Sequence, residues 1–219
     1  MKTILAYGDS LTWGLDATTG RRHAHEDQWP ASLERALSGQ ARVVNAGLNG
    51  RTTIFDDFAV PADRNGVRIL PTVLAMFDPI DLVIIMLGTN DLKISVNGSA
   101  VGTAQGMRRL VDLVRTYVYE ASAPAPKVVV VSPPEVDILG PDAALPLRSP
   151  RTAERPMLPA LYAEVARLTG ASFFDAATVA SPRNGGDGVH LDAANTRAIG
   201  EALAPVAASL LGLHTARTA

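Results

Sequence analysis

One serine of the chain lies where parallel-sheet proteins carry out their chemistry. Ser10 follows an apolar, partly β-branched run at residues 2–7, which predicts the first strand of a sheet. Ligands of α/β proteins bind at the carboxyl ends of such strands. A serine hydroxyl is a weak nucleophile at neutral pH, so it needs a base within hydrogen-bond reach and a third group that orients this base. A catalytic role for Ser10 therefore requires a histidine and an acid at the same end of the sheet.

His190 is the candidate base. The sequence has four histidines, at positions 23, 25, 190 and 214; the first two lie in a polar loop and the last in the C-terminal tail. His190 lies in a glycine-rich turn between a predicted strand and a predicted helix, and Asp187 precedes it by three residues. One turn can bring this carboxylate to Nδ1 of His190 and leave Nε2 free for Ser10. Taken alone, the pair is equally compatible with a solvated aspartate and an incidental histidine.

Two further residues at strand ends could stabilise the oxyanion of an acyl-transfer reaction. Such a reaction needs hydrogen-bond donors aimed at the developing negative charge. Gly50 can present its backbone N–H without a side chain in the way, and Asn90 carries an amide after the strand predicted at residues 81–87. Viewed singly, Gly50 is compatible with an ordinary turn and Asn90 with a helix cap or an Asx turn. Together with Ser10 and His190, however, they supply the groups that one acyl-transfer reaction needs.

Strands and helices alternate along the sequence. Strands are predicted at residues 2–7, 42–45, 81–87, 127–132 and 171–175, and helices at 28–38, 67–77, 100–121, 155–169 and 193–211. Pro71 lies inside the second helix and could break or kink it. The alternation predicts an α/β fold whose parallel sheet is covered by helices on both faces. We expect one domain, residues 1–219, with surface excursions at about 54–66 and 133–153 that could wall the site or contact another subunit.

Composition excludes several other classes of protein. The formal charge is −2 and no block of basic residues occurs, so we expect no nucleic-acid partner. There are no cysteines, hence no disulfides, thiolate metal sites or cysteine nucleophile. No signal peptide and no apolar run of about 18 residues are visible, so we expect no membrane association and a cytoplasmic location.

The order and types of these residues resemble one known family. The common nucleophile elbow is G-x-S-x-G, but Thr12 stands where its second glycine would be, and the acid and the base are only three residues apart. Both features argue against an ordinary α/β-hydrolase. Residues 8–11 (GDSL), Gly50, residues 88–91 (GTND) and residues 187–190 (DGVH) instead resemble, in this order, the four sequence blocks of the SGNH (GDSL) hydrolases.

The resemblance implies a fold and a set of roles. It implies a flavodoxin-like three-layer α/β/α sandwich with a five-stranded parallel sheet, the SGNH hydrolase fold. It implies Ser10 as nucleophile, His190 as base and Asp187 as the residue that orients the base. It also implies an oxyanion hole made of the Ser10 N–H, the Gly50 N–H and the Asn90 side chain. No metal and no cofactor are needed for this chemistry.

A narrower resemblance indicates a class of substrate. Residues 8–14, 50–53, 81–91 and 125–128 look like the corresponding segments of the bacterial arylesterase/acyltransferase branch. Some members of this branch transfer acyl groups to alcohols or to hydrogen peroxide, some form octamers, and related enzymes are carbohydrate acetylesterases. The resemblance therefore implies a small-molecule ester substrate, such as an aryl or carbohydrate acetate, and a homo-oligomer, with an octamer as one possible state.

Four residues near these segments are candidates for binding the substrate. Trp13 lies three residues after Ser10 and could border the pocket, although a core aromatic fits its position equally well. Phe55 and Ile94 could line the same cleft. Arg51 is expected in the pocket wall as an ion-pair partner, with a plain surface charge as the alternative.

Two other functions stay open at this point. One is a short-chain thioesterase or a lysophospholipase-type hydrolase of the same family. The other is a non-catalytic protein that binds a small ligand, since flavodoxin-like folds hold FMN in the same strand-end loops. The Ser, Asn, Asp and His residues speak against the second of these, and the sequence has no phosphate-binding G-x-x-x-x-G-K-[ST] motif.

Overall fold

A five-stranded parallel sheet forms the centre of the computed structural model, which describes residues 1–119, 124–137, 149–182 and 186–214. The strands are β1 (Lys2–Gly8), β2 (Ala41–Gly47), β3 (Leu82–Met86), β4 (Lys127–Ser132) and β5 (Ser172–Asp175). Their order is β2-β1-β3-β4-β5, and all neighbours are parallel. This is the flavodoxin-like order, in which the winding direction changes between β1 and β3. The carboxyl ends of these two strands therefore flank the crevice where such sheets bind ligands.

Helices cover both faces of the sheet, which confirms the predicted three-layer fold. They are α1 (Ser10–Trp13), α2 (Trp29–Ala36), α3 (Gly66–Phe77), α4 (Ala100–Thr116), α5 (Leu158–Thr169) and α6 (Ala193–Leu211). One apolar cluster joins α2 and α6 to one face of the sheet, and a second joins α3, α4 and α5 to the other. Successive residues of a strand enter opposite clusters, as Ile4 and Leu5 do in β1. Both faces of β3 are buried, so its sequence is apolar throughout.

Pro71 does not break the second predicted helix. α3 continues through it to Phe77, with Leu70, Val73 and Leu74 buried on one side. A proline in this position removes one backbone N–H donor and crowds the carbonyl four residues before it, and the packing of the apolar side compensates for both effects.

The other predicted helices differ mainly at their ends. α4 ends at Thr116, and residues 120–121 of the predicted helix lie outside the described part of the chain. The helix predicted at 155–169 is preceded by a 3₁₀ helix over Pro150–Met157 and becomes α-helical at Leu158.

The structure describes the first surface excursion fully and the second only in part. The first is held in place by Asn65, whose side-chain NH₂ donates to the Ile54 carbonyl at 2.7 Å. The side-chain oxygen of Asn65 accepts the Arg68 N–H at 3.3 Å and so caps α3. Of the second, residues 138–148 lie outside the described part of the chain. Its flanks are joined by Arg155, whose buried guanidinium donates to the carbonyls of Pro133 and Pro134.

Membrane-spanning helices and metal-binding clusters are both absent from the described residues. No helix there has the length and apolar character needed to cross a membrane. Within the same ranges, no group of three or more His, Asp or Glu side chains is arranged to hold a metal ion.

Candidate active site

Ser10 lies in the short turn of helix that directly follows β1. Asp9 caps this helix, since its Oδ1 accepts the Leu11 N–H at 2.9 Å. Ser10 is the first residue of α1, so its own N–H has no acceptor within the helix. Ser10 is 7% exposed, so little of the residue is open to solvent.

A continuous hydrogen-bonded relay connects Ser10 to Asp187. His190 Nε2 lies 2.8 Å from Ser10 Oγ, and His190 Nδ1 lies 2.6 Å from Asp187 Oδ2. A carboxylate can only accept, so Nδ1 carries the proton and donates it to Asp187. Nε2 is then the acceptor for the Ser10 hydroxyl proton. The structure thus brings together the three residues that the sequence suggested for nucleophilic catalysis.

Backbone hydrogen bonds fix the carboxylate of this relay. Asp187 Oδ1 accepts the N–H groups of Val189 at 3.0 Å and His190 at 2.9 Å, so Oδ2 is left to face the imidazole. Burial opposes the ionisation of Asp187, but the hydrogen bonds from the side chain and backbone of His190 and from the Val189 N–H outweigh it and lower its pKa to about 2. Asp187 is therefore an anion throughout the range in which enzymes of neutral pH work.

Gly188 anchors the turn that carries Asp187 and His190. Its φ of +75° lies in the left-handed region, and a Cβ there would lie 2.1 Å from the Asp137 carbonyl oxygen. The Asp137 N–H also donates to the Gly188 carbonyl at 2.7 Å. Only glycine allows both this conformation and this close approach, so the turn is held in one place against the segment after β4.

The candidate oxyanion donors lie in loops that contact one another. Arg51 Nη1 donates to the Gly8 carbonyl at the end of β1, and the Arg51 carbonyl accepts from Asn90 Nδ2 at 3.1 Å. Gly50 adopts φ +81° in the turn after β2. The loops that follow β1, β2 and β3 are therefore assembled around the carboxyl end of β1, where Ser10 begins.

Both hydrogens of the Asn90 amide have acceptors in the free protein. One meets the Arg51 carbonyl, and the other meets Asp9 Oδ2 at 3.2 Å. An oxyanion would thus have to share or replace one of these two acceptors. Asn90 is 5% exposed, so its amide is positioned by the protein rather than by water.

Two buried carboxyl groups flank this amide. Burial raises the pKa of Asp9 to about 6, although the Leu11 N–H and the charges of His190, Lys93 and Arg51 oppose the rise. Burial likewise raises the pKa of Asp91 to about 7. Asp91 receives the Thr53 N–H at 3.1 Å and the Thr53 hydroxyl, which fastens the loop after β2 to the loop after β3.

The four residues suggested for substrate binding have different surroundings. Trp13 is half-buried and stacks under the Arg22 guanidinium, 5.0 Å from its ring centroid. Phe55 is also half-buried, and it lies against Gly98 and Gly102 at the start of α4. Ile94 is 64% exposed and lies two residues after the 3₁₀ turn Asn90–Leu92.

Arg51 is not placed as the sequence suggested. It is 4% exposed, and its guanidinium donates to the Gly8 and Ala46 carbonyls and lies 4.0 Å from the centroid of the Tyr7 ring. No ion pair of Arg51 is found in the described part of the chain. This placement favours a role in joining β1 to the loop after β2 over a contact with substrate.

Two cationic residues of the site were missed by sequence reasoning. Arg64 and Lys93 lie in separate loops, yet both side chains come within 4 Å of the Cβ position of Gly50. Nothing in their spacing indicates that they come together, because it depends on how the loop before α3 folds back.

A cavity of about 830 Å³ lies elsewhere, at the amino-terminal ends of the strands around Lys2, Asp81 and Lys127, and it is remote from Ser10.

Comparisons with solved structures identify close relatives. A carbohydrate acetylesterase family member from Sinorhizobium meliloti has 47% sequence identity and a TM-score of 0.91, over 97% of this chain and 100% of that chain. The aryl esterase of M. smegmatis has 39% identity and a TM-score of 0.87, over 96% of this chain and 100% of that one. Another carbohydrate acetylesterase from Sinorhizobium meliloti has 35% identity and a TM-score of 0.87, with the same two coverages.

A comparison with curated proteins found no significant match. The profile of the GDSL-like lipase/acylhydrolase family matches residues 6–198, which include every block of the site described above. With this match, and with relatives of 35 to 47% identity over nearly the whole chain, the protein belongs to the GDSL-like lipase/acylhydrolase family.

Proposed function

We propose that the chain is a serine esterase that hydrolyses short-acyl esters, in particular acetyl esters of aryl or carbohydrate alcohols. The observation that carries this proposal is the relay from Asp187 through His190 to Ser10, with contacts of 2.6 and 2.8 Å. The names of the relatives support the choice of substrate, since they are carbohydrate acetylesterases and an aryl esterase.

The proposed cycle has two acyl transfers. Ser10 Oγ attacks the ester carbonyl while His190 Nε2 takes the hydroxyl proton, and the carbonyl oxygen becomes an oxyanion. The N–H groups of Ser10 and Gly50 and the amide of Asn90 donate to this oxyanion. The imidazolium then gives its proton to the leaving alcohol, and an acyl-enzyme remains on Ser10. Water attacks this ester through the same steps in reverse, which releases the acid.

The role of Asp187 in this cycle is electrostatic. The imidazolium that forms on His190 lies 2.6 Å from an anion whose pKa is about 2, so the positive charge is stabilised when it appears. The same contact holds the imidazole in the tautomer that accepts from Ser10.

The acyl-enzyme can also react with nucleophiles other than water. We therefore include transfer of the acyl group to alcohols or to hydrogen peroxide in the proposal. An alcohol that enters the site where the first alcohol left meets the same base, so the reaction is the acylation step run backwards.

The test is a series of 4-nitrophenyl esters from acetate to octanoate, assayed with wild type and Ser10→Ala. We expect the fastest turnover with acetate and a loss of about 10⁶-fold in kcat for the variant. Each reaction is repeated with an added alcohol, and new ester in the products would support acyl transfer. Absence of turnover with every ester would contradict the proposal and favour a thioester substrate or a binding protein.

Two further expectations belong with this proposal. A homo-oligomer, with an octamer as one possible state, can be checked by light scattering of the purified protein. The cytoplasmic location can be checked by fractionation of the source cells. Neither outcome alters the chemistry proposed for Ser10.

A further inference from the structure

Two cationic side chains from different loops converge beside Gly50. An atom at the Cβ position of Gly50 would lie 3.5 Å from Arg64 Nε and 3.9 Å from Lys93 Nζ. Arg64 belongs to the loop that leads into α3, and Lys93 to the turn that follows Asn90. Since Gly50 has no side chain, both cations lie close to its backbone, whose N–H group we propose for the oxyanion.

Neither cation is neutralised by a direct partner in the described part of the chain. Arg64 Nε is buried and has no hydrogen-bond partner. The carboxylate that acts most strongly on Lys93 is Asp57, but Asp57 forms no ion pair with it and accepts the Ala59 N–H at 3.1 Å instead. Burial lowers the pKa of Lys93 and the nearby Arg64 charge lowers it further, whereas the charges of Asp57, Asp9 and Asp91 oppose this decrease. The two side chains thus hold like charges close together in a partly buried place.

The backbone keeps both residues in this position. The Arg64 carbonyl accepts the Thr52 N–H at 3.0 Å and the Thr52 hydroxyl at 3.2 Å. The Lys93 N–H donates to the Asn90 carbonyl at 3.2 Å. The charge of Lys93 also acts on Asp9, the neighbour of Ser10. The backbone of both residues is therefore fixed next to the loops of the candidate active site.

Two adjacent cations repel each other, and the carboxylates that act on Lys93 form no direct ion pair with it, so the arrangement requires an explanation. A bound anion would relieve the repulsion, and a planar carboxylate suits a guanidinium and an ammonium that approach from two sides. We propose that Arg64 and Lys93 form a subsite for a carboxylate carried by the ester substrate. The inference rests on the proposed esterase function and specifies that acidic esters are preferred over neutral ones.

The experiment compares each acidic ester with a neutral counterpart. 4-Acetoxybenzoate and 4-acetoxybenzamide place the charge on the alcohol; mono-4-nitrophenyl adipate and its methyl ester place it on the acyl group. We expect wild type to prefer the acidic member of at least one pair about tenfold in kcat/KM, and about 0.5 M NaCl to reduce this preference. The pair that shows the preference tells whether the carboxylate belongs to the alcohol or to the acyl group.

Substitutions of the two cations test the assignment. Lys93→Met and Arg64→Met should each lower the acidic-to-neutral ratio about threefold, and Arg64→Lys, which keeps the charge, should retain most of it. Arg108→Met removes an exposed charge from α4 and serves as the control for net charge. Circular dichroism and the kcat for the neutral esters identify any variant that has failed to fold.

Three results would overturn the subsite. In the first, wild type shows an acidic-to-neutral ratio of kcat/KM near one for both pairs. In the second, the cation variants keep the same ratio as the Arg108→Met control, and in the third, they lose kcat/KM equally on acidic and neutral esters. The last would mean that the cations act on the oxyanion itself. Failure of the esterase proposal is distinct, because wild type would then turn over neither neutral ester.

Discussion

The amide of Asn90 donates to the buried carboxylate of Asp9 across 3.2 Å, although the two residues are 81 positions apart in the sequence. The other oxygen of Asp9 caps the turn that carries Ser10. One carboxylate therefore connects the nucleophile's turn to the side chain that we propose for the oxyanion. Asp9 touches no reacting atom in this arrangement, so we regard it as a positioning residue.

The first prediction concerns this pair. Asn90→Ala should lower kcat by about 10²–10³-fold if its amide donates to the oxyanion. Asp9→Asn should lower kcat by about tenfold, because an amide that still accepts the Leu11 N–H presents its NH₂ to the Asn90 amide, donor against donor. kcat for 4-nitrophenyl acetate measures both effects.

A double-mutant cycle tests the route by which Asp9 acts. If Asp9 acts through Asn90, Asp9→Asn should cost little in the Asn90→Ala background. Additive losses would show that Asp9 acts independently, for example through the cap of α1. The unfolding free energies of all four proteins are the control for general damage.

The second prediction concerns the tautomer of His190. In Asp187→Asn, the amide oxygen should keep the two backbone N–H donors of Val189 and His190, which turns the NH₂ toward Nδ1. Nδ1 must then accept, so the proton moves to Nε2, which can no longer take the proton of Ser10. We expect a loss of about 10⁴-fold in kcat.

Asp187→Ala is the matched comparison for this prediction. It removes the carboxylate without imposing a tautomer, so its loss should be no larger than that of Asp187→Asn. Near-wild-type activity of Asp187→Asn would remove Asp187 from the relay. Because the pKa of Asp187 is about 2, any fall of wild-type activity between pH 7 and pH 4 has to come from another group.

The sequence predicts the strands and the relay well, for physical reasons. Continuous apolar runs such as 82–87 can only be buried strands or buried helices, and their length favours strands. Parallel strands bring their carboxyl ends to one edge, so Ser10 and Asn90 are expected at the same edge of the sheet. The contact between Asp187 and His190 is local, so their three-residue spacing is enough to predict it.

Other features depend on contacts that spacing cannot reveal. Arg51 could be a pocket residue or a surface charge by sequence, whereas it is buried against the carbonyls of Gly8 and Ala46. By sequence, Pro71 could break or kink its helix, but the packing of α3 stabilises the helix by more than the proline destabilises it. The convergence of Arg64 and Lys93 arises only when two loops fold together over Gly50.

The third prediction tests the structural role of Arg51. Arg51→Ala leaves the Ala46 carbonyl without this charged donor and removes the contact with the Tyr7 ring, so the free energy of unfolding should fall by about 2–4 kcal/mol. Urea denaturation measures it. If Arg51 instead bound substrate, the variant would raise KM at unchanged stability.

The fourth prediction concerns the pH dependence of stability. The pKa of Asp91 is about 7 in the folded protein, against an ordinary value of 3.8, because the group is buried. Between these two pH values the unfolded chain has lost the proton and the folded chain keeps it. The free energy of unfolding therefore falls as pH rises from about 4 to about 7, and it stays low above that range.

The decrease assigned to Asp91 should be on the order of 2–4 kcal/mol, and Asp9 adds to it in the same direction because its pKa is about 6. Asp91→Asn cannot ionise, so its stability should change less than that of wild type between pH 5 and pH 8. Asp112→Asn, on the exposed side of α4, is the control and should follow wild type. If the free energy of unfolding changed with pH equally in wild type and Asp91→Asn, the hydrogen bonds from Thr53, rather than burial, would determine the pKa of Asp91.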